Sequence, residues 1–239
     1  MIDEGLAVER GILAAIVLSA VLSWAFVELA DEVAEGAALR FDELLYRFLH
    51  GGEARYGLLG SERAVEAVRD ITALGSLSVL GLVTAIVCGY LAITGRQRAA
   101  VFVLVAVLGG LLVSQGLKAA FDRARPDLAA HHAQVFTRSF PSGHSMLSAV
   151  VYLTLGSLLA RLHASRRAKA FLLGAAVVLA VLVGLSRLLL GVHWPTDILA
   201  GWAIGGSWAL LCWAIFLFLQ RRETVESTIP DRPSQGSES

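Results

Sequence analysis

A chain of 239 residues in which 56% are hydrophobic and only 17% are charged lacks the composition of a soluble domain, where about a quarter of the residues are charged. Acidic and basic residues balance at 20 each, so no excess of positive charge favours nucleic acid as a partner. The mean hydropathy is +0.67, and the apolar residues are concentrated in six long runs with almost no ionisable side chain. Such runs are typical of transmembrane helices, so we predict an all-α polytopic membrane protein with six transmembrane helices in one bundle.

The six runs differ in their flanking charge. The first is preceded by Asp3, Glu4 and Glu9 rather than by a basic segment, and its apolar stretch is longer than that of a signal peptide, so we expect an uncleaved helix. The fifth contains a single charge, Arg187, near its end. The predicted spans are residues 11–27, 71–94, 99–117, 145–160, 170–190 and 198–219.

Charge in the connecting segments predicts the orientation of the bundle. An even number of spans places both termini on one side, where the short connections and the start of the C-terminal segment contain dense arginine clusters. The opposite loops contain a similar total of basic residues, but several of those belong to the motifs described below. We therefore expect a multi-pass protein of the cell membrane with cytoplasmic termini. Residues 1–220 should form the membrane domain, and the polar segment 221–239 a disordered tail.

The stretch LRFDELLYRFLHG in the first outer loop has the period of an amphipathic helix. Apolar residues repeat at helical spacing from Phe41 to Leu49, whereas Asp42, Glu43 and Arg47 lie on the other face. Two interpretations remain open: the helix lies in the membrane interface, or it packs against a neighbouring loop. A second short helix is expected at about residues 62–70.

Polar residues gather in three clusters near the ends of the later spans. The first is KAAFDRARP, which begins at Lys118; the second is PSGH, residues 141–144; the third is SRLLLGVHWPTD, residues 186–197. The first two clusters share the loop between spans three and four, and the third lies between spans five and six. Because two crossings separate these loops, all three clusters are expected at the same, outer face of the membrane.

The PSGH cluster precedes the fourth span. Ser142 is a favourable N-cap, and Gly143 permits the backbone to approach a ligand closely. The first turn of a helix presents N–H groups without intrahelical partners and a positive dipole, which together attract anions. His144 would stand at the edge of such a site, able to donate a proton. The alternative is an ordinary capped helix with an interfacial histidine.

In the third cluster, Pro195 suits the first position of a helix, which places Asp197 in the first turn of span six. His193 precedes Asp197 by four residues, so the carboxylate can accept a hydrogen bond from one ring nitrogen and leave the other as a nucleophile or base. Two alternatives are a His–Asp pair that only holds a turn, and a metal site. Nearby cations disfavour a divalent metal ion.

Three cations, Lys118, Arg125 and Arg187, accompany these histidines. Arg187 falls inside an otherwise apolar span, where a charge is costly and usually functional. The alternatives are that Arg187 extends to the interface or pairs with Asp122 or Asp127. Three cations and a helix N-terminus around a histidine would form a receptor for a phosphate dianion.

Together the clusters resemble the signature of the type-2 phosphatidic acid phosphatase superfamily, K-x6-RP, PSGH and SR-x5-H-x3-D, with every fixed position matched in order over residues 118–197. The resemblance implies that His193 attacks phosphorus and forms a phosphohistidine, that Asp197 orients its ring, and that His144 protonates the leaving oxygen. It also implies that no metal and no other cofactor is required. The phosphate oxygens would be held by Lys118, Arg125, Ser142, Gly143 and Arg187.

The expected depth of the site bears on the substrate. Residues 144–160 make about 25 Å of helix against a hydrocarbon core of about 30 Å, which places the site at or just below the outer interface. That depth favours a phosphorylated lipid: phosphatidate, phosphatidylglycerophosphate or a polyprenyl diphosphate. The alternatives are a sugar phosphatase of the same family and a transporter, which would have ionisable groups near the middle of its spans. The sequence indicates no oligomeric state and no role for His131 and His132.

Overall fold

The computed structural model describes residues 2–51, 57–126 and 138–226. Within these ranges every regular element is helical, which confirms the all-α prediction. A 3₁₀ turn at Gly57–Leu59 precedes the third helix. The helices are α1 (Ile2–Glu35), α2 (Leu39–His50), α3 (Glu62–Ala73), α4 (Leu77–Ile93), α5 (Gln97–Ala120), α6 (Gly143–Arg161), α7 (Arg166–Leu189) and α8 (Pro195–Glu226).

Five helices of the described ranges are long and apolar enough to cross a membrane, and a sixth span results if α3 and α4 count as one bent span. The predicted continuous span over residues 71–94 is wrong in one respect, because α3 and α4 meet at 42°. At the break, Ser76 adopts an extended backbone, and its hydroxyl caps α4 by accepting a hydrogen bond from the Val79 N–H at 3.3 Å. Hydropathy does not reveal this break, because residues 74–76 contain no charged side chain that would interrupt the apolar run.

Both terminal helices extend beyond their predicted spans. α8 continues to Glu226, six residues into the segment predicted as a disordered tail, so that boundary is wrong. The helix is tied to α1 at this end by an ion pair of 2.5 Å between Arg221 and Glu9, a tertiary contact that local composition does not reveal. Farther along the same pair of helices, the Ser207 hydroxyl forms hydrogen bonds with the hydroxyls of Ser19 and Ser23, at 2.9 and 2.7 Å. Residues 227–239 of the predicted tail lie outside the described residues.

α6 lies at the centre of the bundle, and small residues let α8 pack closely against it. Of the candidate spans α6 is the most enclosed, because 56% of its apolar 18-residue stretch is buried inside the protein. A Cβ atom placed on Gly201 would stand 2.8 Å from the Ser142 carbonyl oxygen, and one on Gly205 would stand 3.1 Å from the Met146 Cα. The two glycines therefore let the start of α8 contact the backbone at the start of α6.

Replacing Gly201 with valine is expected to destabilise the protein by about 1–3 kcal/mol, because the new side chain must displace backbone atoms of α6. Thermal unfolding of the purified protein measures the effect. Gly174→Val is the matched control, since a Cβ on Gly174 meets nothing within 4 Å in the described part of the chain. Equal melting temperatures for the two variants would contradict the close packing.

The amphipathic helix predicted in the first outer loop is α2, and its buried residues, Asp42 and Tyr46, point into the protein. Asp42 is fully buried, and the buried Tyr46 donates a hydrogen bond of 3.2 Å to the Gly191 carbonyl in the α7–α8 connection. Phe41, Leu44 and Phe48, on the opposite face, are exposed. The helix thus packs on the protein through polar contacts and leaves its apolar stripe outward, as a helix at a membrane interface does.

Candidate active site

The three sequence clusters meet at one end of the bundle. The last turns of α5 and α7, the first turns of α6 and α8, and the two connections that join them contribute the side chains. His144 lies within electrostatic range of Lys118, Arg125, Arg187 and His193. All eight predicted site residues therefore belong to one cluster: Lys118, Arg125, Ser142, Gly143, His144, Arg187, His193 and Asp197.

The buried His193 ring is held at both nitrogens. Its Nδ1 lies 3.2 Å from Asp197 Oδ2, and its Nε2 lies 3.1 Å from an Nη atom of Arg125. A guanidinium group has donors only, so Nε2 must accept this hydrogen bond and is unprotonated. The neutral ring therefore carries its proton on Nδ1, which donates to Asp197. The lone pair of Nε2 faces the cations.

Burial lowers the pKa of His193 to about 4, and the nearby Arg125 and Arg187 act in the same direction. The hydrogen bond and charge of Asp197 raise the pKa but do not offset the burial. At neutral pH the ring is therefore neutral, which is the form in which Nε2 is a nucleophile.

An NMR titration of isotope-labelled imidazoles tests this assignment. The signal that disappears in His193→Gln should titrate near pH 4 and show the Nδ1–H tautomer at neutral pH. Because an unfolded histidine titrates near pH 6.5, the unfolded chain binds this proton first. The stability contributed by the neutral ring is complete above about pH 6.5 and falls as the pH drops toward 4. A midpoint near 6.5, or the Nε2–H tautomer, would contradict the geometry.

The Asp197 carboxylate is surrounded by hydrogen-bond donors. Its Oδ2 accepts the Trp194 backbone N–H at 3.0 Å and a short hydrogen bond from the Ser139 hydroxyl, and its Oδ1 accepts a guanidinium N–H of Arg123 at 2.7 Å. These contacts fix its orientation toward His193. They also favour the orienting role over metal ligation, because the donors already occupy both oxygens.

The start of α6 is attached to α8 through Ser142. This fully buried residue donates its backbone N–H to the Asp197 carbonyl at 2.9 Å, and its Oγ caps α6 by accepting the Ser145 N–H at 3.5 Å. A hypothetical Cβ on Gly143 would stand 3.3 Å from Cε of Lys118. Glycine thus lets the lysine reach across the first turn of α6, where the N–H groups and the dipole attract anions.

His144 faces the break between α3 and α4. A Cβ on Gly75, in the middle of that break, would stand 3.3 Å from the His144 ring atom Cδ2. The bend that hydropathy misses therefore shapes one wall of the site, and a Cβ at this glycine would also overlap Cγ1 of Val183, so the close packing of α7 requires glycine there.

Arg187 is buried, with 5% of its surface exposed, so it does not extend to the interface. Its Nη1 lies 3.5 Å from the Thr72 hydroxyl, and in the described part of the chain its buried Nε has no hydrogen-bond partner. Of the two suggested acidic partners, Asp122 pairs with Arg138 at 3.0 Å, and Asp127 lies outside the described residues. A buried guanidinium with an unused donor is costly unless an anion occupies the site.

Sequence reasoning missed a network behind Asp197. Arg123 bridges Asp197 at 2.7 Å and the fully buried Asp42 of α2 at 2.5 Å. Asp42 in turn accepts the backbone N–H and the hydroxyl of Thr196 at 2.9 and 2.6 Å. A signal existed in the sequence, since Asp42 is an acid on a short outer-loop helix and Arg123 stands two residues before a motif arginine. Which acid pairs with which base depends on tertiary structure.

Lys118 and Arg125 share a second support in Arg138. The Arg138 carbonyl accepts hydrogen bonds from Lys118 Nζ at 3.4 Å and from Arg125 at 3.3 Å. The Arg138 side chain donates to the Lys118 and Ala119 carbonyls at 3.1 and 2.7 Å, which satisfies the end of α5. These bonds hold the two cations beside His193.

Comparison with known proteins gives matches consistent with this geometry. Over 96 residues the chain is 44% identical to phosphatidylglycerophosphatase B of Bacillus subtilis (strain 168), covering 39% of this chain and 46% of that protein. Over 115 residues it is 33% identical to lipid A 1-phosphatase of Rhizobium etli, covering 44% of each. The chain thus spans less than half the length of these curated relatives.

A solved structure matches far more of the chain. The crystal structure of a transmembrane PAP2 type phosphatidylglycerolphosphate phosphatase from Bacillus subtilis superposes with a TM-score of 0.71 at 28% identity, covering 90% of this chain and 98% of that one. The family model described as the PAP2 superfamily matches residues 99–221, just over half of the chain and all three motif clusters. On this evidence, the membrane protein described here is a member of the PAP2 superfamily.

Proposed function

We propose that this protein is a membrane phosphatase that hydrolyses a lipid phosphate monoester or diphosphate through a phosphohistidine at His193. The observation that carries the proposal is the geometry at that residue. A neutral imidazole, oriented by Asp197 at 3.2 Å, directs the Nε2 lone pair toward Arg125 at 3.1 Å. A nucleophile beside fixed cations is what phosphoryl transfer requires.

In the first step, the Nε2 of His193 attacks phosphorus while the bond from phosphorus to the leaving oxygen breaks. His144, in its protonated form, donates the proton that the leaving oxygen takes up. Asp197 stabilises the positive charge that develops on the ring by accepting the Nδ1–H. Water then attacks the phosphohistidine and gives a proton to His144, the N–P bond breaks with its electron pair returning to Nε2, inorganic phosphate leaves, and neutral His193 and protonated His144 are restored.

Charge neutralisation comes from fixed donors. Arg125 and Arg187 lie within electrostatic range of the His193 ring, and Lys118 lies near both arginines and beside Gly143 in the first turn of α6. Arg125 must leave Nε2 when a phosphoryl group arrives, because the same lone pair forms the new bond. Arg187, whose Nε has no hydrogen-bond partner within residues 2–51, 57–126 and 138–226, can donate to the incoming oxygens without losing a contact there.

A lipid substrate is supported by the depth of the site and by the relatives' names. The helix that opens at the site, α6, has 19 residues and a length of about 28 Å, so its first turn lies near the edge of a hydrocarbon core of about 30 Å. The similar proteins are named as phosphatases of phosphatidylglycerophosphate and of lipid A. A sugar phosphatase of the same family is the alternative.

Phosphate release from a substrate panel in uncharged detergent tests this function. We expect turnover of at least one of phosphatidate, phosphatidylglycerophosphate and a polyprenyl diphosphate, and little turnover of glucose-6-phosphate. Activity should persist in EDTA, because fixed cations neutralise the charge, and vanadate, which mimics the phosphoryl group, should inhibit. Preference for glucose-6-phosphate would reject the lipid assignment, and loss of activity in EDTA restored by a divalent ion would reject the metal-free mechanism.

We also propose that the site faces the outside of the cell membrane and that both termini are cytoplasmic. The basic residues on the short connections at the other end of the bundle support this orientation. The test uses a variant in which Cys88 and Cys212 are replaced by serine and a single cysteine is introduced at position 166, at the start of α7. This cysteine should react with a membrane-impermeant thiol reagent only after the membrane is permeabilised. Labelling of position 166 in intact cells would show that this end of the bundle, and not the candidate active site, faces the outside.

A further inference from the structure

The end of the bundle opposite the candidate active site contains two adjoining grooves. A cavity of about 840 Å³ lies between the ends of α4, α5, α6 and α8. The charged residues among those that line it are three exposed arginines, Arg96, Arg98 and Arg161. Its walls are mainly apolar and include Val87, Leu91, Leu155, Leu158, Leu159 and Phe216.

A second, apolar groove of about 450 Å³ runs between α5 and α8. It shares Gln97, Arg98, Phe216 and Gln220 with the first. Two apolar grooves therefore converge on one polar rim at the start of α5. We call the pair, with its rim of Arg96, Arg98 and Arg161, the basic groove.

The basic groove is separate from the candidate active site. It surrounds the first turn of α5, whereas Lys118 lies in the last turn of the same helix of 24 residues. That helix is about 36 Å long, so one ligand cannot occupy both places.

We propose that the basic groove binds an anionic membrane phospholipid, with its headgroup phosphate at the three arginines and its two acyl chains in the two apolar grooves. Arginine forks match phosphate oxygens, and basic pockets between transmembrane helices suit lipid headgroups. A soluble anion would leave the apolar walls exposed, and a lipid without net negative charge would not neutralise the positive charge of the arginine rim. The arginine rim thus matches the anionic headgroup, and the apolar grooves match the acyl chains.

Arg161 is already oriented for this role. Its guanidinium lies over the rings of Trp213 and Phe216 at 5.7 and 5.8 Å and donates a short hydrogen bond to the Gln220 side chain. An arginine stacked in this way loses little freedom when it binds phosphate. A lipid in the groove would contact four helices at the end where they separate, so binding should stabilise the folded bundle.

Thermal unfolding and native mass spectrometry of the full chain in uncharged detergent test the proposal. Phosphatidylglycerol should bind saturably and raise the melting temperature, whereas phosphatidylcholine with the same acyl chains should do neither. Vanadate present throughout separates this binding from occupation of the active site. The triple variant R96Q/R98Q/R161Q should lose at least tenfold in affinity for phosphatidylglycerol.

The matched control is R166Q/R167Q/K169Q, which removes three exposed charges from the same end of the bundle outside the groove. It should bind phosphatidylglycerol like the wild type. Leu159→Trp keeps all three arginines and fills the apolar wall at a position that is 47% exposed, so it should fold normally and bind at least tenfold more weakly. Equal stabilisation by both lipids, equal losses in the two triple variants, or unchanged binding in Leu159→Trp would overturn the proposal.

Discussion

His193→Gln should lower phosphate release by at least about 10⁴-fold, because the His193 ring is the nucleophile of the proposed mechanism. Glutamine retains an amide that can donate to Asp197, so the pocket loses its nucleophile with limited repacking. The turnover rate with the best lipid of the panel measures the effect. Rapid acid-free quenching should show a phosphorylated protein with the wild type and none with the variant.

His163→Gln is the matched control, since His163 is an exposed histidine at the far end of α6 whose ring contacts the Leu159 carbonyl. Its activity and melting temperature should equal those of the wild type. A His193→Gln protein that folds, as judged by its melting temperature, and retains more than a few per cent of the turnover would reject the phosphohistidine mechanism.

Asp42→Asn should be the most damaging substitution outside the motifs. The change removes a buried charge that pairs with Arg123 at 2.5 Å and accepts both donors of Thr196. Removing one partner of a buried ion pair costs about 3–5 kcal/mol when the other charge is left unpaired, and we expect a smaller cost here because Arg123 keeps its contact with Asp197. Arg123 without its anchor at position 42 should hold Asp197, and through it His193, less firmly in line, so we expect kcat to fall about 100-fold.

Two measurements separate positioning from simple loss of stability. Below the melting temperature of the variant, kcat should fall while KM changes little, and the imidazole signal of His193 should lose its single tautomer. Glu43→Gln on the same helix is the control, because its ion pair with Arg47 is exposed and contributes little. A variant with normal kcat and only a lower melting temperature would limit Asp42 to a structural role.

α2 connects an exposed apolar surface with the network behind Asp197. Its inward face supplies Asp42, and its outward face presents Phe41, Leu44 and Phe48. An interfacial position of the exposed apolar face would place the support of Asp197 at the level where the headgroup of the proposed lipid substrate arrives. The sequence shows the amphipathic pattern but not which face carries a functional residue, because hydropathy predicts that polar faces meet water.

The local sequence also cannot show where helices break or end. The Leu74–Ser76 break brings Gly75 against His144, although it lies inside a continuous apolar run. α8 ends at Glu226, beyond the predicted boundary, and Arg221 near its end pairs with Glu9, about 200 residues away in the chain. Both differences arise because tertiary packing and capping, rather than hydropathy, decide the ends of helices.

Hydropathy and spacing were sufficient to predict the membrane bundle and to bring three motif clusters to one face, because span length and crossing number depend only on the order of residues. The proximity of Lys118, Arg125 and Arg187 to the two histidines follows from that topology. Only the tertiary structure revealed that Arg123 joins Asp42 to Asp197 and that the buried Nε of Arg187 has no hydrogen-bond partner among the described residues. Hydrogen-bond partners depend on side-chain distances of a few ångströms between helices remote in sequence, and no local pattern encodes them.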